Sequence, residues 1–422
     1  MARGNSIPAA LSRLDDASLD ALIQDYAWFH AHPGLAYREH EAAQRIDEIM
    51  RGLGYETHAG IGGTGVVAVL ANGDGPVVAL RADIDGLPVL ERTGLPYAST
   101  ITQLVDGSPV PVMHACGHDI HISSAIGTAR LLAATRDRWS GTVEFIFQPA
   151  EEGGVGAAAV VDSGIFDTVP VPELILGQHV IPGSYDEIKV TPGALEASSD
   201  SWRVVLRGSG GHGAWPHEAE DLVVAAADAI ALVQNVVARQ TPAMRSAVVT
   251  IASIHIGSKE NVIADGGYFT VNIRAHDPEI RRDTWTKVRR AIDGALAANG
   301  ISQPAEYVAG HALPPLINSP EPAAVVAEAF RTHLPTAEVV APEPVMGSED
   351  FGILGERLGV PSMYWFIGSM SSAVYDTLVA RGPAAADFPR LHSPYFAPEP
   401  RPTLDVGVRA MTIAALAHLE SR

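Results

Sequence analysis

Strand-like apolar runs alternate with helical periodicities along most of this chain, and that alternation constrains the fold more than any other feature. Residues 77–82, 142–147, 173–179 and 362–366 are short and apolar. Between and after them, segments near 120–134, 152–163, 322–333 and 350–358 repeat apolar residues at helical spacing. Strands alternating with helices predict a mainly parallel sheet covered by helices. Two helices, 18–31 and about 39–50, precede the alternation; the first stops before Pro33 and the second at Gly52 and Gly54. The runs 65–71 and 77–82, separated by Asn-Gly-Asp-Gly, read as a hairpin. A short strand is expected near 337–340. After Phe366 we expect a loop rich in proline and alanine, then a last helix at about 404–419.

The rhythm changes in the middle. A strand at 201–207, a glycine-rich loop at 208–213 and a long helix at about 221–238 come first. Strands at 247–256 and 268–274, a helix at about 279–298 and a short strand near 305–308 follow. The order βαββαβ predicts a small ferredoxin-like α+β domain, with both helices on one face of a four-stranded sheet. The expected organisation is one larger α/β domain in two parts, 1–195 and 311–422, interrupted by an insert at 196–310.

Composition narrows the function classes. A chain of 422 residues has room for two or three domains of ~100–200 residues each. Apolar residues at 47% and charged residues at 18% exclude a disordered chain. The net charge of −20 repels phosphate backbones and anionic headgroups, so neither nucleic acid nor membrane is an expected partner. A single cysteine excludes an intrachain disulfide and points to a reducing compartment. No signal-like segment is visible at the N-terminus, and 223–238, with Asp228, Gln234 and Asn235, reads as too short and polar to span a bilayer. The expected location is cytoplasmic.

Chemistry-bearing residues gather in a few places. His114, Cys116, His118, Asp119 and His121 fall within one short stretch before a helix. Cys-x-His sets two metal-binding side chains close together, and a thiolate can bridge two ions. Glu151 and Glu152 follow an apolar strand; one can ligate a metal while the other carries a proton. The other reading of that pair is an acidic helix start. His179 ends a strand, and His392 lies in a loop. Asp83 and Asp85, two apart at a strand end, point to one face and suit the orienting of a ligand. Singly, each is an ordinary core, turn or surface residue. Together they supply nitrogen, sulfur and carboxylate ligands for two divalent ions at successive strand ends, where open α/β sheets place their sites.

Five motifs occur in order: Arg81-Ala-Asp-Ile-Asp-Gly-Leu-Pro, Met113-His-Ala-Cys-Gly-His-Asp, Phe147-Gln-Pro-Ala-Glu-Glu-Gly, Gly210-Gly-His-Gly-Ala-Trp-Pro-His and Gly347-Ser-Glu-Asp-Phe. With them the chain resembles the bacterial N-acyl-amino-acid amidohydrolases. That branch of the dinuclear-metal aminoacylase and carboxypeptidase family includes hippurate hydrolases, indole-acetyl-amino-acid hydrolases and acyl-glutamine aminoacylases. The resemblance runs from about Ala31 to the last helix. It implies a metallopeptidase-like catalytic domain, an inserted lid and dimerisation domain, and hydrolysis of N-acyl amino acids to a carboxylic acid and an amino acid. It implies two divalent ions, zinc or manganese with cobalt or nickel as substitutes, held by Cys116, His118, Glu152, His179 and His392. Glu151 matches the general base and Asp85 a supporting aspartate. His212 matches a histidine that reaches the partner subunit's active site in a homodimer or higher homo-oligomer. Asn261 and Arg274 match groups that hold the substrate carboxylate. Ala264 departs from the usual proline, and Trp215, not the commonest residue beside His212, is expected to narrow or flatten the acyl-side pocket. Two other readings stand beside this one. They are a hydrolase using Cys116 as nucleophile next to His114 or His118, and an inactive binding or scaffold protein on the same fold.

Overall fold

The computed structural model describes residues 6–382 and 388–420. They divide into two compact units: Met1–Gly193 with Ile317–Glu343 and Asp350–Arg422, and Ala194–Leu316 with Pro344–Glu349.

The larger unit is built on an eight-stranded sheet. Its strands are β1 (Glu56–Ile61), β2 (Gly65–Asn72), β3 (Val77–Asp83), β4 (Gly141–Gln148), β5 (Leu174–Ser184), β6 (Glu187–Lys189), β7 (Glu338–Val340) and β8 (Ser362–Met370). Their order across the sheet is β1-β2-β4-β3-β5-β8-β6-β7. The central pairs β4–β3, β3–β5 and β5–β8 are parallel. Pleating sends alternate residues to opposite faces. Val78, Leu80, Val143, Phe145, Leu176, Met363 and Trp365 join one core with the helices Asp16–Ala31, His40–Gly52, His118–Ala134, Pro320–His333 and Pro400–Leu419. Arg81, Glu144, Gln148 and Tyr364 alternate with these core residues and are also buried, which is why the central strands read as continuous runs rather than as amphipathic ones.

Two local expectations are corrected. The runs 65–71 and 77–82 do not form a hairpin. Strand β4 lies between them, antiparallel to β2 and parallel to β3. Both runs are buried on both faces, so each takes two neighbours, and the glycine-rich link skips over one strand. The actual Asp-Gly hairpin joins Thr102–Val105 to Ser108–Pro111, with Asp106 at φ 49° and Gly107 at φ 78°. The expected loop after Phe366 is instead more strand, to Met370, and then a helix, Ser372–Arg381, capped by Ser371. Part of that expected loop, 383–387, lies outside the described residues.

In the smaller unit, Ala247–Thr250, Gly266–Ala275, Ser199–Arg207 and Glu306–Leu313 lie side by side, all antiparallel. The expected strand 247–256 is two pieces, and the second, Ile254–Ile256, also pairs with Gly266–Ala275. Helices Leu222–Asn235 and Pro278–Ala298 share a core with Val204, Leu206, Phe269, Val271 and Ile273. The helical stretch Leu222–Gln240, slightly longer than the 223–238 run, is by length and composition alone apolar enough to cross a membrane. Its Leu222, Ala225, Ala226, Ala229 and Val233 are nevertheless spent in this core. Pro344–Glu349 joins the unit through Val345, whose carbonyl accepts from the Ala197 N–H and whose N–H donates to the Leu195 carbonyl.

Candidate metal centre

The chemistry of the larger unit collects at the C-terminal ends of β3 and β4 and within β5. Strand β3 ends on Asp83, with Asp85 two residues on; β4 leads through Pro149-Ala150 into Glu151 and Glu152. His179 is inside β5 rather than at its end, because that strand continues to Ser184. The loop before helix His118–Ala134 turns on Gly117, at φ +82°, where a Cβ would come within 2.4 Å of Val180 Cγ1. Only glycine has both the conformation and the room there. His392 is brought in by its backbone N–H, which donates to the Ala115 carbonyl at 2.8 Å. Its φ of 65° and that of Ala150, 51°, are strained values for non-glycine residues.

Two trios result. The ligand atoms of Cys116, His118 and His179 lie within 4.8 Å of one another, as do those of Cys116, Glu152 and His392. Cys116 belongs to both. Cys116 Sγ is 3.4 Å from His179 Nε2, and His392 Nε2 is 3.4 Å from Glu152 Oε1. Glu151 stands beside them, its Oε2 3.8 Å from His118 Nε2. The five side chains read as ligands and the glutamate read as base therefore come together.

Whether this nest suits cations is answered by the hydrogens. His118 Nδ1 faces two oxygens of Asp85, the carbonyl at 2.9 Å and Oδ1 at 3.2 Å, so Nδ1 carries the proton. His118 Nε2 is left buried without a hydrogen-bond partner, as is Glu152 Oε1. His179 likewise gives its Nδ1 proton to the Val180 carbonyl at 2.7 Å, turning the Nε2 lone pair toward the sulfur. Electrostatics agree. Burial and the neighbouring His121 push the His179 pKa well below the usual histidine value, keeping it neutral. Burial opposes the ionisation of Glu152, but His392 and His118 outweigh it and hold its pKa low. Burial also opposes charge on His118, yet Asp83, Asp85 and Glu152 raise its pKa to about 10. The carboxylates around it create a strong demand for positive charge, and the donor set fits metal ions.

Asp85 does not face the trios directly. Its Oδ2 accepts the Glu152 N–H at 3.0 Å while Oδ1 meets His118 Nδ1, so it is tied to two of the clustered donor residues. Asp83, His118 and His121 also offer clustered donors. His121 Nε2, however, accepts the Val180 N–H at 2.9 Å, and its Nδ1 meets Asp83 Oδ1 at 2.5 Å. With both ring nitrogens engaged, that trio is a polar clamp. His114 is not among the side chains gathered on Cys116. Its Nδ1 lies 3.1 Å from the Asp85 carbonyl, and burial lowers its pKa to about 4.

Two buried networks were not assigned from sequence. Arg81 Nη1 donates to Asp83 at 2.6 Å, Nη2 to Asp350 at 3.1 Å and Nε to Gln148 at 2.9 Å. Asp350 also accepts the Ala157 N–H. The signal was present, since an arginine inside the apolar run Val77–Asp83 needs buried acceptors. The second network joins His30 to Asp119 at 2.6 Å and to Glu91 at 3.0 Å. No local pattern marks it, because the partners come from three separate stretches.

The remaining expected site residues belong to the smaller unit. Gly211–His212 pairs with Val262–Ile263, so His212 and Asn261 sit in adjoining loops. The Ala214 N–H donates to His212 Nδ1 at 3.1 Å, leaving Nε2–H as a free-standing donor. Arg274 is held by Asn272 Oδ1 at 3.1 Å and the Met346 carbonyl at 2.7 Å.

Comparison with known proteins agrees with this chemistry. The chain is 33% identical over 355 residues to thermostable carboxypeptidase 2 of Saccharolobus solfataricus, covering 83% of this chain and 86% of that one. It is 34% identical over 330 residues to hippurate hydrolase of Campylobacter jejuni, covering 78% and 83%. The crystal structure of a dinuclear metal-binding peptidase of the M20 family from Bacillus subtilis superposes with a TM-score of 0.78 at 30% identity, covering 97% of this chain and all of that one. The sequence profile described as Peptidase family M20/M25/M40 matches residues 79–377, and the chain belongs to that family.

Proposed function

We propose that this protein is a metal-dependent amidohydrolase that cleaves N-acyl amino acids to a carboxylic acid and a free amino acid. The observation that carries the reading is the pair of ligand trios sharing Cys116, with Glu151 beside them. Cys116, His118 and His179 would hold one divalent ion, and Cys116, Glu152 and His392 the other; zinc suits the sulfur and imidazoles, and manganese the carboxylate. Such ions, when bound, polarise the scissile carbonyl and make water acidic enough to attack near neutral pH. Glu151 takes the proton of the attacking water and returns it to the amide nitrogen as the C–N bond breaks. Asp85 holds His118 and the Glu152 backbone in place during the cycle. His212 donates Nε2–H to the carbonyl oxygen as it gains charge. Asn261 and Arg274 bind the α-carboxylate of the amino acid, for which a planar guanidinium is well shaped.

The smaller unit serves in this reading as lid and dimerisation domain, with His212 supplied in trans. Its helix Leu222–Asn235 exposes Val223, Val224 and Leu232, and the end strand Ala247–Thr250 has an open edge, which supports contact with a second copy.

Metal analysis and hydrolysis of N-acyl amino acids on one preparation test the reading. Chelation should abolish turnover and divalent ions restore it. Glu151→Ala should retain the metal and lose turnover by about a thousandfold. Full activity in a metal-free sample refutes the role of the metal, and near wild-type turnover in Glu151→Ala refutes the assignment of the base. Loss of activity on thiol alkylation together with indifference to chelators would favour Cys116 as nucleophile instead.

A further inference from the structure

We propose that Glu39 is a positioning residue for Glu151 and Glu152, its carboxylate gripping the strained turn that carries them. The inference rests on the amidohydrolase reading and adds the group that fixes the base and its neighbouring donor in place. Glu39 stands at the N-cap of the helix His40–Gly52. An acidic side chain there is ordinarily explained by the first N–H groups of its own helix. Glu39 makes no such bond. It is 1% exposed, and both oxygens are spent on distant partners. Oε1 accepts the Ala150 N–H at 2.9 Å, and Oε2 accepts the Thr64 hydroxyl at 2.5 Å, in the link between β1 and β2. Burial raises its pKa above the usual glutamate value, although both hydrogen bonds favour the charged form.

The grip falls on the residue that needs it. Ala150 is fully buried with φ 51°, a conformation that costs an alanine energy. The residue before it has no room to share the bend. Pro149 packs on Gly65, where a Cβ would come within 2.7 Å of the proline Cδ. The Pro149 carbonyl packs on Gly156, where a Cβ would come within 1.6 Å of its oxygen. Beyond the bend, the Gly156 N–H donates to the Ala150 carbonyl at 3.1 Å, and the Gly154 N–H to the Glu151 carbonyl at 2.6 Å. The Glu152 N–H donates to Asp85 Oδ2 at 3.0 Å. Glu39 and Asp85 thus hold the backbone N–H groups on either side of Glu151.

Without the Glu39 carboxylate, the Ala150 N–H is buried and unpaired, and its φ relaxes toward negative values. A rotation at that torsion moves both side chains that follow. A base and a metal-binding donor displaced together lose the spacing that proton transfer and ion binding require.

The test compares Glu39→Met, which fills the space but accepts no hydrogen bond there, with Glu39→Gln, whose side-chain carbonyl still accepts the Ala150 N–H. Zinc retained per chain after dialysis, kcat and KM for acetylglycine and benzoylglycine, and urea denaturation are measured on each. Glu39→Met should retain less zinc than the wild type. At saturating zinc it should lose kcat by about tenfold or more with little change in KM. Glu39→Gln should keep most of both. Adding Ala150→Gly to Glu39→Met should recover part of the kcat, because glycine takes positive φ without a grip; a residue that only filled the core would show no such rescue. Thr64→Val removes the far anchor of the carboxylate and should give a smaller loss of the same kind; if Glu39→Met does not fold, wild-type kcat in Thr64→Val overturns the proposal. Wild-type zinc retention and kcat in Glu39→Met overturn it too. So does a loss confined to KM or to urea stability, an equal loss in Glu39→Gln, or no recovery with Ala150→Gly. Failure of the underlying reading looks different: the wild type would hold no zinc and hydrolyse neither substrate, and both would fall.

Discussion

Replacing Glu144 should stabilise the protein, and the effect should grow with pH. Glu144 is in the middle of β4, opposite Val69 on one side and Ala79 on the other. It is fully buried, and neither carboxylate oxygen has a hydrogen-bond partner. Burial alone raises its pKa from 4.5 to about 8. The folded protein therefore holds a proton there that the unfolded chain releases above pH 4.5. Where the folded state binds more protons, stability falls as pH rises, so the loss develops between pH 4.5 and about 8. At about 1.4 kcal/mol per tenfold change in proton affinity, the whole interval corresponds to about 5 kcal/mol. Relaxation around the site reduces this, so about 2–5 kcal/mol is expected at pH 8. Glu144→Met keeps an unbranched side chain of similar volume, and Glu144→Gln keeps the shape while removing the titration. Urea denaturation of the three proteins at pH 5, 6, 7 and 8 isolates the contribution, because all other titrating groups are common. Both variants should lose less stability than the wild type as pH rises, and Glu144→Met should be the most stable at pH 8. Parallel loss in all three proteins would refute the reasoning.

Other expectations follow from the same structure. Arg81→Met strands Asp83 and Asp350, both fully buried, and should cost about 3–5 kcal/mol in denaturation experiments. The pair of variants Arg81→Met with Asp350→Asn should cost less than the sum of the two, since each removes the other's counter-charge. His30 is driven from 6.5 to about 10 because Asp119 and Glu91 outweigh the burial that opposes its charge. Its contribution is complete below pH 6.5 and fades as pH rises through about 10; His30→Gln should therefore show a smaller loss of stability than the wild type between pH 7 and 10. Mixing His212→Ala subunits with Glu151→Ala subunits should restore part of the turnover if His212 acts in trans, and confirmed mixed dimers without recovery would refute that arrangement.

The large features were legible because they depend on averages over many residues. Alternating apolar runs marked the central strands, and a change of rhythm marked the βαββαβ segment. Pairing was less legible. Asn72-Gly-Asp-Gly and Asp106-Gly107 carry similar turn chemistry, yet only the second closes a hairpin. The difference lies in the flanks. Thr102–Val105 is partly exposed, whereas β2 and β3 are buried on both faces and so demand a neighbour on each edge that the local sequence cannot name. Strand β8 ran past its expected end for a related reason: Ile367, Gly368, Ser369 and Met370 are all buried, but glycine and serine there resemble the start of a loop.

At the site, residue type decided what could be read. Singly, Cys116, His118, Glu152, His179 and His392 are ordinary residues, and they stood out only together, as a set of nitrogen, sulfur and carboxylate donors carried by motifs in a fixed order. Arg81, inside an apolar run, signals that buried acceptors exist, but Gln148 and Asp350 have many ordinary reasons to appear in a soluble protein, and only their burial and contacts reveal that they hold Arg81 and, through it, Asp83 and the end of β4. Backbone strain adds a signal that no local rule supplies. Among the described residues, four non-glycine residues have positive φ: Tyr37, Asp106, Ala150 and His392. Asp106 is the turn residue that chemistry favours. Ala150 and His392 have no such licence, yet one immediately precedes the two glutamates and the other carries one of the clustered donors. Each is over-determined by a hydrogen bond: the Glu39 carboxylate accepts the Ala150 N–H at 2.9 Å, and the Ala115 carbonyl accepts that of His392 at 2.8 Å. Strain of this kind persists only where surrounding contacts outweigh it. Its place beside Glu151, Glu152 and His392 is what a nest of donors held at fixed spacing requires, and it is the part of the site that sequence patterns are least able to foretell.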